Sequence, residues 1–170
     1  MSVQASITID GVAGLKPSQI RQAARTAMQA VGDRWIKEYL PRHFTRYATA
    51  RYNYTPRSLS YRRRKRYGAS INGVPSIKED LPLVWSGRSR ERAKGARTEA
   101  KAPSSTMAYA DVVIDVPALN LRFKGSTINM REELTTVIPA EAEDLAARFV
   151  WVFEREIERM GRTTRRKLAA

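Results

Sequence analysis

Val3, Ala5, Ile7 and Ile9 alternate with Gln4, Ser6, Thr8 and Asp10, a period of two that predicts a half-buried strand, broken by Gly11 and Gly14. From Pro17 the period lengthens. Ile20, Ala24, Ala27, Met28, Val31, Trp35 and Tyr39 recur at steps of three and four up to Pro41. Proline suits the first helical turn, and this spacing predicts a helix of about 20 residues whose apolar stripe covers roughly 120°. A stripe of that width faces a core, so Trp35 reads as a packing residue.

Between Arg42 and Ser105 neither period persists, and Pro56, Pro75, Pro82 and Pro103 are mixed with Gly68, Gly73, Gly87 and Gly95. A stretch this long without an element of its own is normally functional or disordered, although short helices fit around residues 57–66 and 87–96. Alternation returns at Ala110, Val112, Ile114 and Val116, again at Leu119, Leu121 and Phe123 beyond Pro117 and Ala118, and a third strand is expected from Leu134 to Ile138. A second helix is predicted from about Ala140 to Met160, ending before Gly161. The fold class is α+β: two main helices packed on a small, mostly antiparallel sheet, with a long extended basic arm between helix 1 and the later strands. We read residues 1–170 as a single domain carrying residues 42–105 as its arm.

The last helix is two-sided. Leu145, Phe149, Val152, Phe153, Ile157 and Met160 form an apolar face, and Asp144 with Arg148 and Glu158 with Arg162 are favourable pairs four apart. Trp151 falls on the opposite side between Arg148 and Arg155. An exposed Trp flanked by arginines has the composition of a protein interface.

Charge sharpens the picture. The chain has 31 Lys and Arg against 17 Asp and Glu, a net +14. Residues 42–67 carry eight of the arginines, one lysine and no acid, so this stretch repels itself and is expected to be extended until an anionic or aromatic surface accepts it. Tyr47, Tyr52, Tyr54, Tyr61 and Tyr67 are interleaved with its arginines, which supplies charge and stacking faces suited to nucleic acid or to an acidic protein surface. The absence of cysteine excludes disulfides, thiolate metal sites and cysteine nucleophiles. No apolar run reaches the roughly 20 residues of a membrane span, and the first residues have no signal-peptide pattern, so use without secretion is expected.

Little in the chain suggests catalysis. His43 is the only histidine, which excludes multi-histidine metal sites, and its place after Pro41 predicts a hydrogen bond at a helix end. Neither phosphate-cradling glycine motif occurs. Asp80 followed by Glu99-Ala100-Lys101 has the loose form of a metal-dependent nuclease, but residues 96–105 show no strand period to hold such carboxylates rigidly. Glu132 and Glu133, adjacent on an expected strand, would point apart.

Three segments then carry a resemblance: His43-Phe44 closing the first helix; Tyr52-Asn53-Tyr54-Thr55-Pro56-Arg57-Ser58 with Tyr61, Arg64-Lys65 and Gly68; and Pro82-Leu83-Val84-Trp85-Ser86-Gly87-Arg88. Over about residues 35–90 the chain resembles tailed-bacteriophage virion morphogenesis proteins of the neck, the head–tail joining and tail-completion kind. Beyond Gly87 it departs from that pattern, which usually has a leucine where Arg88-Ser89-Arg90-Glu91 stand here. The resemblance implies an α+β subunit of a ring joining the DNA-filled head to the tail, located in the virion and, during assembly, in the host cytoplasm. It implies no enzymatic activity, no cofactor and no metal. The partners it implies are further copies of the chain, head-side connector or portal-associated proteins and tail-tube proteins. A few arginines would touch duplex DNA in the channel non-specifically, and no membrane is involved. The residues expected at subunit or partner interfaces are Tyr52, Tyr54, Arg57, Tyr61, Arg62, Arg63, Arg64, Lys65, Arg66, Trp85, Arg88, Arg148, Trp151 and Arg155. The alternative is a sequence-tolerant basic nucleic-acid-binding protein whose arm tracks a phosphate backbone.

Overall fold

A computed structural model describes residues 2–6, 15–71, 73–79, 81–116 and 128–168. The chain is α+β and divides into two compact units. The first comprises Met1–Trp35, Arg97–Val113 and Pro139–Ala170; the second comprises Ile36–Ala96 and Ile114–Ile138.

The first unit is a three-stranded antiparallel sheet with two long helices. Strand β1 (Ser2–Ser6) and strand β4 (Arg97–Lys101) both pair with the central strand β5 (Met107–Val113), in the order β1-β5-β4. Helix α1 (Pro17–Arg34) packs on β4, β5 and helix α6 (Pro139–Leu168). The predicted stripe of α1 is its buried side: Ala24, Ala27, Met28, Val31 and Trp35 are enclosed, and Ile20 is half-buried. The sheet meets this stripe with Ala100, Ala108 and Ala110, and α6 adds Val152, Phe153 and Met160. Alanines on both sides keep side-chain bulk out of the contact, so helix and sheet approach closely. At Gly32 the approach leaves no room for a side chain: an added Cβ would stand 2.3 Å from Thr98 Cγ2. Arg34 donates from Nε and Nη2 to the two carboxylate oxygens of Asp144 at 2.6 and 2.7 Å, joining α1 to α6. Both side chains are about one-third exposed, so the pair fixes geometry more than it adds stability. Asp144, expected to pair with Arg148 one turn on, thus meets α1, and the Arg148 guanidinium lies over Trp151.

The second unit is built from short pieces. Beyond α1 the backbone loosens into a π-helical turn, Trp35–Tyr39, then tightens into a 3₁₀ turn, Leu40–Phe44. Pro41 has no N–H to return to the carbonyl four residues back, so an α-helix cannot continue through it. Helices α2 (Ala48–Arg51) and α3 (Leu59–Arg66), the hairpin of β2 (Ser70–Ile71) and β3 (Val74–Pro75), and helices α4 (Arg88–Ala93) and α5 (Met130–Thr135) follow. The short helices expected around residues 57–66 and 87–96 are therefore present, as α3 and α4.

Several expectations are corrected. The 42–105 stretch is not one extended arm: residues 42–96 fold into the second unit, and residues 97–101 are a strand of the first unit. Strand β4 has alternation after all, with Thr98 and Ala100 inward and Arg97, Glu99 and Lys101 outward, but its inward residues are too small and polar to stand out in sequence. The strand expected over Leu134–Ile138 does not form: Leu134 and Thr135 end helix α5 and residues 136–138 are irregular, the helix being started by Asn129, whose side-chain oxygen accepts the Glu132 amide at 3.2 Å. Helix α6 continues through Gly161 to Leu168, because one glycine costs a helix only about 1 kcal/mol and no left-handed cap forms there. The expected strand over Leu119–Phe123, the end of the first strand at Ile7 and Ile9, and Asp80 lie outside the described residues. No helix among the described residues is long and apolar enough to cross a membrane.

Candidate interface surfaces

In the second unit the fold separates the cationic, tyrosine-rich residues into inward and outward sets. Tyr52 and Tyr54, expected at an interface, are both 4 % exposed. They enclose His43, whose ring stacks on Tyr52 with centroids 3.9 Å apart and whose Nδ1 hydrogen-bonds the Tyr54 hydroxyl. The Thr45 amide closes the 3₁₀ turn onto the Arg42 carbonyl. Burial lowers the His43 pKa from 6.5 to about 4, with the Glu133 main chain opposing the shift and the Arg51 charge adding to it. A histidine kept neutral in this way takes up its proton more readily in the unfolded chain. Its contribution is complete above pH 6.5 and is lost as pH falls toward 4, in total on the order of 3 kcal/mol. Urea midpoints across that range should fall more steeply for the native protein than for a His43→Phe, Tyr54→Phe variant; equal slopes would refute the buried neutral histidine.

Arg57, also expected at an interface, turns inward. It makes a two-pronged pair with Glu133 of α5 at 2.9 and 2.5 Å, and donates to the Thr55 carbonyl at 2.8 Å. Glu133 also accepts the Thr55 amide at 3.1 Å.

Helix α3 begins at Ser58, whose hydroxyl accepts the Tyr61 amide at 3.2 Å. Its back is held by Trp85, from the third segment of the resemblance. Tyr61 packs against Trp85, ring centroids 5.4 Å apart, and the Trp85 indole donates to the Val74 carbonyl at 2.9 Å. Lys65 is buried and its ammonium donates to the Leu81 carbonyl, while the Ser76 hydroxyl donates to the Lys65 carbonyl at 2.5 Å. Gly68 supplies the left-handed turn after the helix, with φ +74°. Tyr61, Lys65 and Trp85 thus form a clasp within their own unit; Lys65 is buried, which corrects its assignment to a partner surface, whereas Tyr61 and Trp85 are half-buried. Arg62, Arg63, Arg64 and Arg66 are exposed, as is Arg88 at the start of α4. Leu59 and Tyr67, at either end of α3, are 64 % and 81 % exposed. Sequence reading left both out of the interface set, although their spacing of four from Arg63 places all three on one line.

In the first unit, Trp151 stands out on α6 at 51 % exposure with Val150 beside it at 49 %. The Arg148 and Arg155 guanidiniums lie over its ring, 4.8 and 5.3 Å from the centroid. The three-residue arrangement expected from spacing is therefore present.

Of the nuclease-like pattern, Asp80 lies outside the described residues, Glu99 is exposed and paired with Arg97 at 3.2 Å, and Lys101 lies over Tyr109. Glu132 and Glu133 share a helix; the first caps with Asn129 and the second grips Arg57.

Compared with known proteins, the chain matches no protein-family model, no curated protein and no solved structure.

Proposed function

We propose that this chain is a structural subunit of a tailed-phage neck, a head–tail connector or tail-completion protein that closes into a ring with its own copies between the DNA-filled head and the tail. The observation that carries this reading is the surface of α6. Trp151 is half exposed although the same helix has a full apolar face in the core, with Phe149 and Phe153 stacked 5.7 Å apart. An indole flanked by two guanidiniums combines apolar area, cation–π attraction and hydrogen-bond donors, the composition of an interface anchor. The motif resemblance over residues 35–90 supplies the type of assembly. The paired motifs hold each other inside one unit, which supports a subunit that arrives largely pre-shaped and loses little conformational entropy on joining its neighbours.

Trp151→Ala should leave the thermal midpoint nearly unchanged, since surface substitutions usually stay within about 0.5 kcal/mol. Assembly should weaken at least tenfold, as for truncation of an interface anchor. Light-scattering mass across a concentration series, together with the yield of joined heads and tails in a complementation assay, measures both. A chain that stays monomeric at every concentration with and without head and tail components, or a variant that assembles normally, would defeat the proposal.

A further inference from the structure

We infer that helix α3 is a duplex-DNA-binding element that lies in the major groove with its arginines on the phosphates of both walls. The inference rests on the second unit alone and does not require a ring. Residues 57–67 contain six cations, and the fold treats them unequally. Arg57 is held by Glu133 and Lys65 by the Leu81 carbonyl, whereas Arg62, Arg63, Arg64 and Arg66 are exposed. Among the described residues none of these four forms an ion pair.

A solvated helix face ordinarily mixes its charges, as Glu154, Glu156, Glu158 and Arg159 of α6 do, with Arg159 paired to Glu156 at 2.6 Å. Helix α3 has no acid at all. Like charges one turn apart, such as Arg62 and Arg66, disfavour a helix, and α3 is nonetheless fixed by the Ser58 cap and the clasp at Tyr61, Lys65 and Ser76. A repulsive cationic surface held rigid in this way is stabilised by an anion that neutralises it.

The arrangement of the charges selects the anion. At about 100° per residue, Arg63 lies opposite the clasped side, with Arg62 and Arg66 on one flank and Arg64 roughly 100° away on the other. The guanidiniums therefore fan over more than half of the helix circumference. A flat acidic protein surface meets one side of a helix, whereas the major groove, about 12 Å wide, receives a whole helix between two phosphate walls. In that pose Arg62 and Arg66 reach one wall and Arg64 the other, with Leu59, Arg63 and Tyr67 toward the floor. All the displayed cations are arginines, whose planar fork matches phosphate oxygens. Contact through phosphates makes the binding tolerant of sequence.

The full-length chain, titrated against a labelled random-sequence duplex of about 20 base pairs over a salt series, should bind with a log–log salt slope near −3, as expected for about three phosphate contacts. Arg62→Gln, Arg64→Gln and Arg66→Gln should each reduce the slope by roughly 1 and weaken binding by a similar factor on unrelated sequences, and the triple variant should lose binding at about 0.15 M salt. Circular dichroism should show all of them folded, because none of these side chains is buried. Arg25→Gln, an exposed arginine of α1, serves as the control and should bind like the native chain. The inference is overturned if the triple variant binds normally, or if Arg25→Gln removes binding equally. It is also overturned if poly-glutamate at equal charge displaces the duplex as well as unlabelled duplex does, which would make α3 a site for an acidic protein. Assembly mass, measured separately, reports on the ring, so the two proposals can fail independently.

Discussion

Trp35→Ala is expected to cost the fold about 3–5 kcal/mol, the range for truncating a fully buried aromatic. Trp35 is 0 % exposed and is the largest of the completely enclosed side chains. Its amide also caps α1, bonding the Val31 and Gly32 carbonyls where the α-helix gives way to the π turn. An indole of this kind buries about 150–250 Å², which at 25 cal/mol per Å² is roughly 4–6 kcal/mol of transfer free energy. The methyl group of alanine recovers little of it, and a helix on one side and a proline-ended turn on the other hinder collapse into the cavity. Most folded domains are stable by only about 5–15 kcal/mol, so the variant should show a greatly lowered urea midpoint and a thermal midpoint lower by roughly 6–20 °C. Trp151→Ala is the internal comparison, since the same truncation at a half-exposed site should hardly move either midpoint. A loss below about 1 kcal/mol for Trp35→Ala would mean that the site is not closed as described.

The contrast between these two tryptophans was legible in the sequence because helical periodicity is local. Seven apolar residues at steps of three and four fix which side of α1 is buried, and Trp151 falls opposite the α6 stripe by angle alone. Strand β5 was legible by alternation, but its limits were not. Alternation was expected over Ala110–Val116, whereas the paired strand is Met107–Val113, because β1 and β4 set the register from distant parts of the chain. Strand β4 escaped notice because Thr98 and Ala100 carry too little hydrophobicity to mark an inward face.

The expected interface residues divide by burial in a way that composition does not show. Net charge draws attention to residues 42–67, but charge alone treats every cation as solvated. Whether a given arginine faces water depends on acceptors far away in sequence: Glu133 for Arg57, the Leu81 carbonyl for Lys65. The spacing of Tyr61 and Lys65, one turn apart on the side away from Arg63, was the local sign that α3 has a back. Once these inward residues are removed, what is left for partners is narrower than composition suggested: an all-arginine helix face in one unit and a tryptophan between two arginines in the other.

The burial of Arg57 leads to the second large effect. Its side chain is 14 % exposed and that of Glu133 10 %, so neither charge has much water to fall back on. Removing one partner from such a pair leaves an uncompensated buried charge, which costs about 3–5 kcal/mol, whereas an exposed pair is worth about 0–1. Glu133→Ala should therefore destabilise strongly. It also removes the acceptor for the Thr55 amide, the residue next to Pro56 where the chain turns toward α3. Arg57→Met should cost a comparable amount, because the Glu133 carboxylate is then left without its cation. The combined Arg57→Met, Glu133→Leu variant should be more stable than either single one, since two apolar side chains of similar volume replace a pair whose desolvation offsets much of its attraction. Urea unfolding of the four proteins in the cycle gives the coupling directly, with a value of about 2 kcal/mol or more expected for a pair in contact. Single variants that each lose less than about 1 kcal/mol would show the pair to be effectively solvated. The cycle also bears on how the motif is read. Arg57 belongs to the Tyr-Asn-Tyr-Thr-Pro-Arg-Ser segment that carries the resemblance, and if it is a fold residue, an Arg57 variant should fail in particle assembly only as far as it fails to fold. An Arg63→Gln chain should stay as stable as the native one and lose only what α3 contacts.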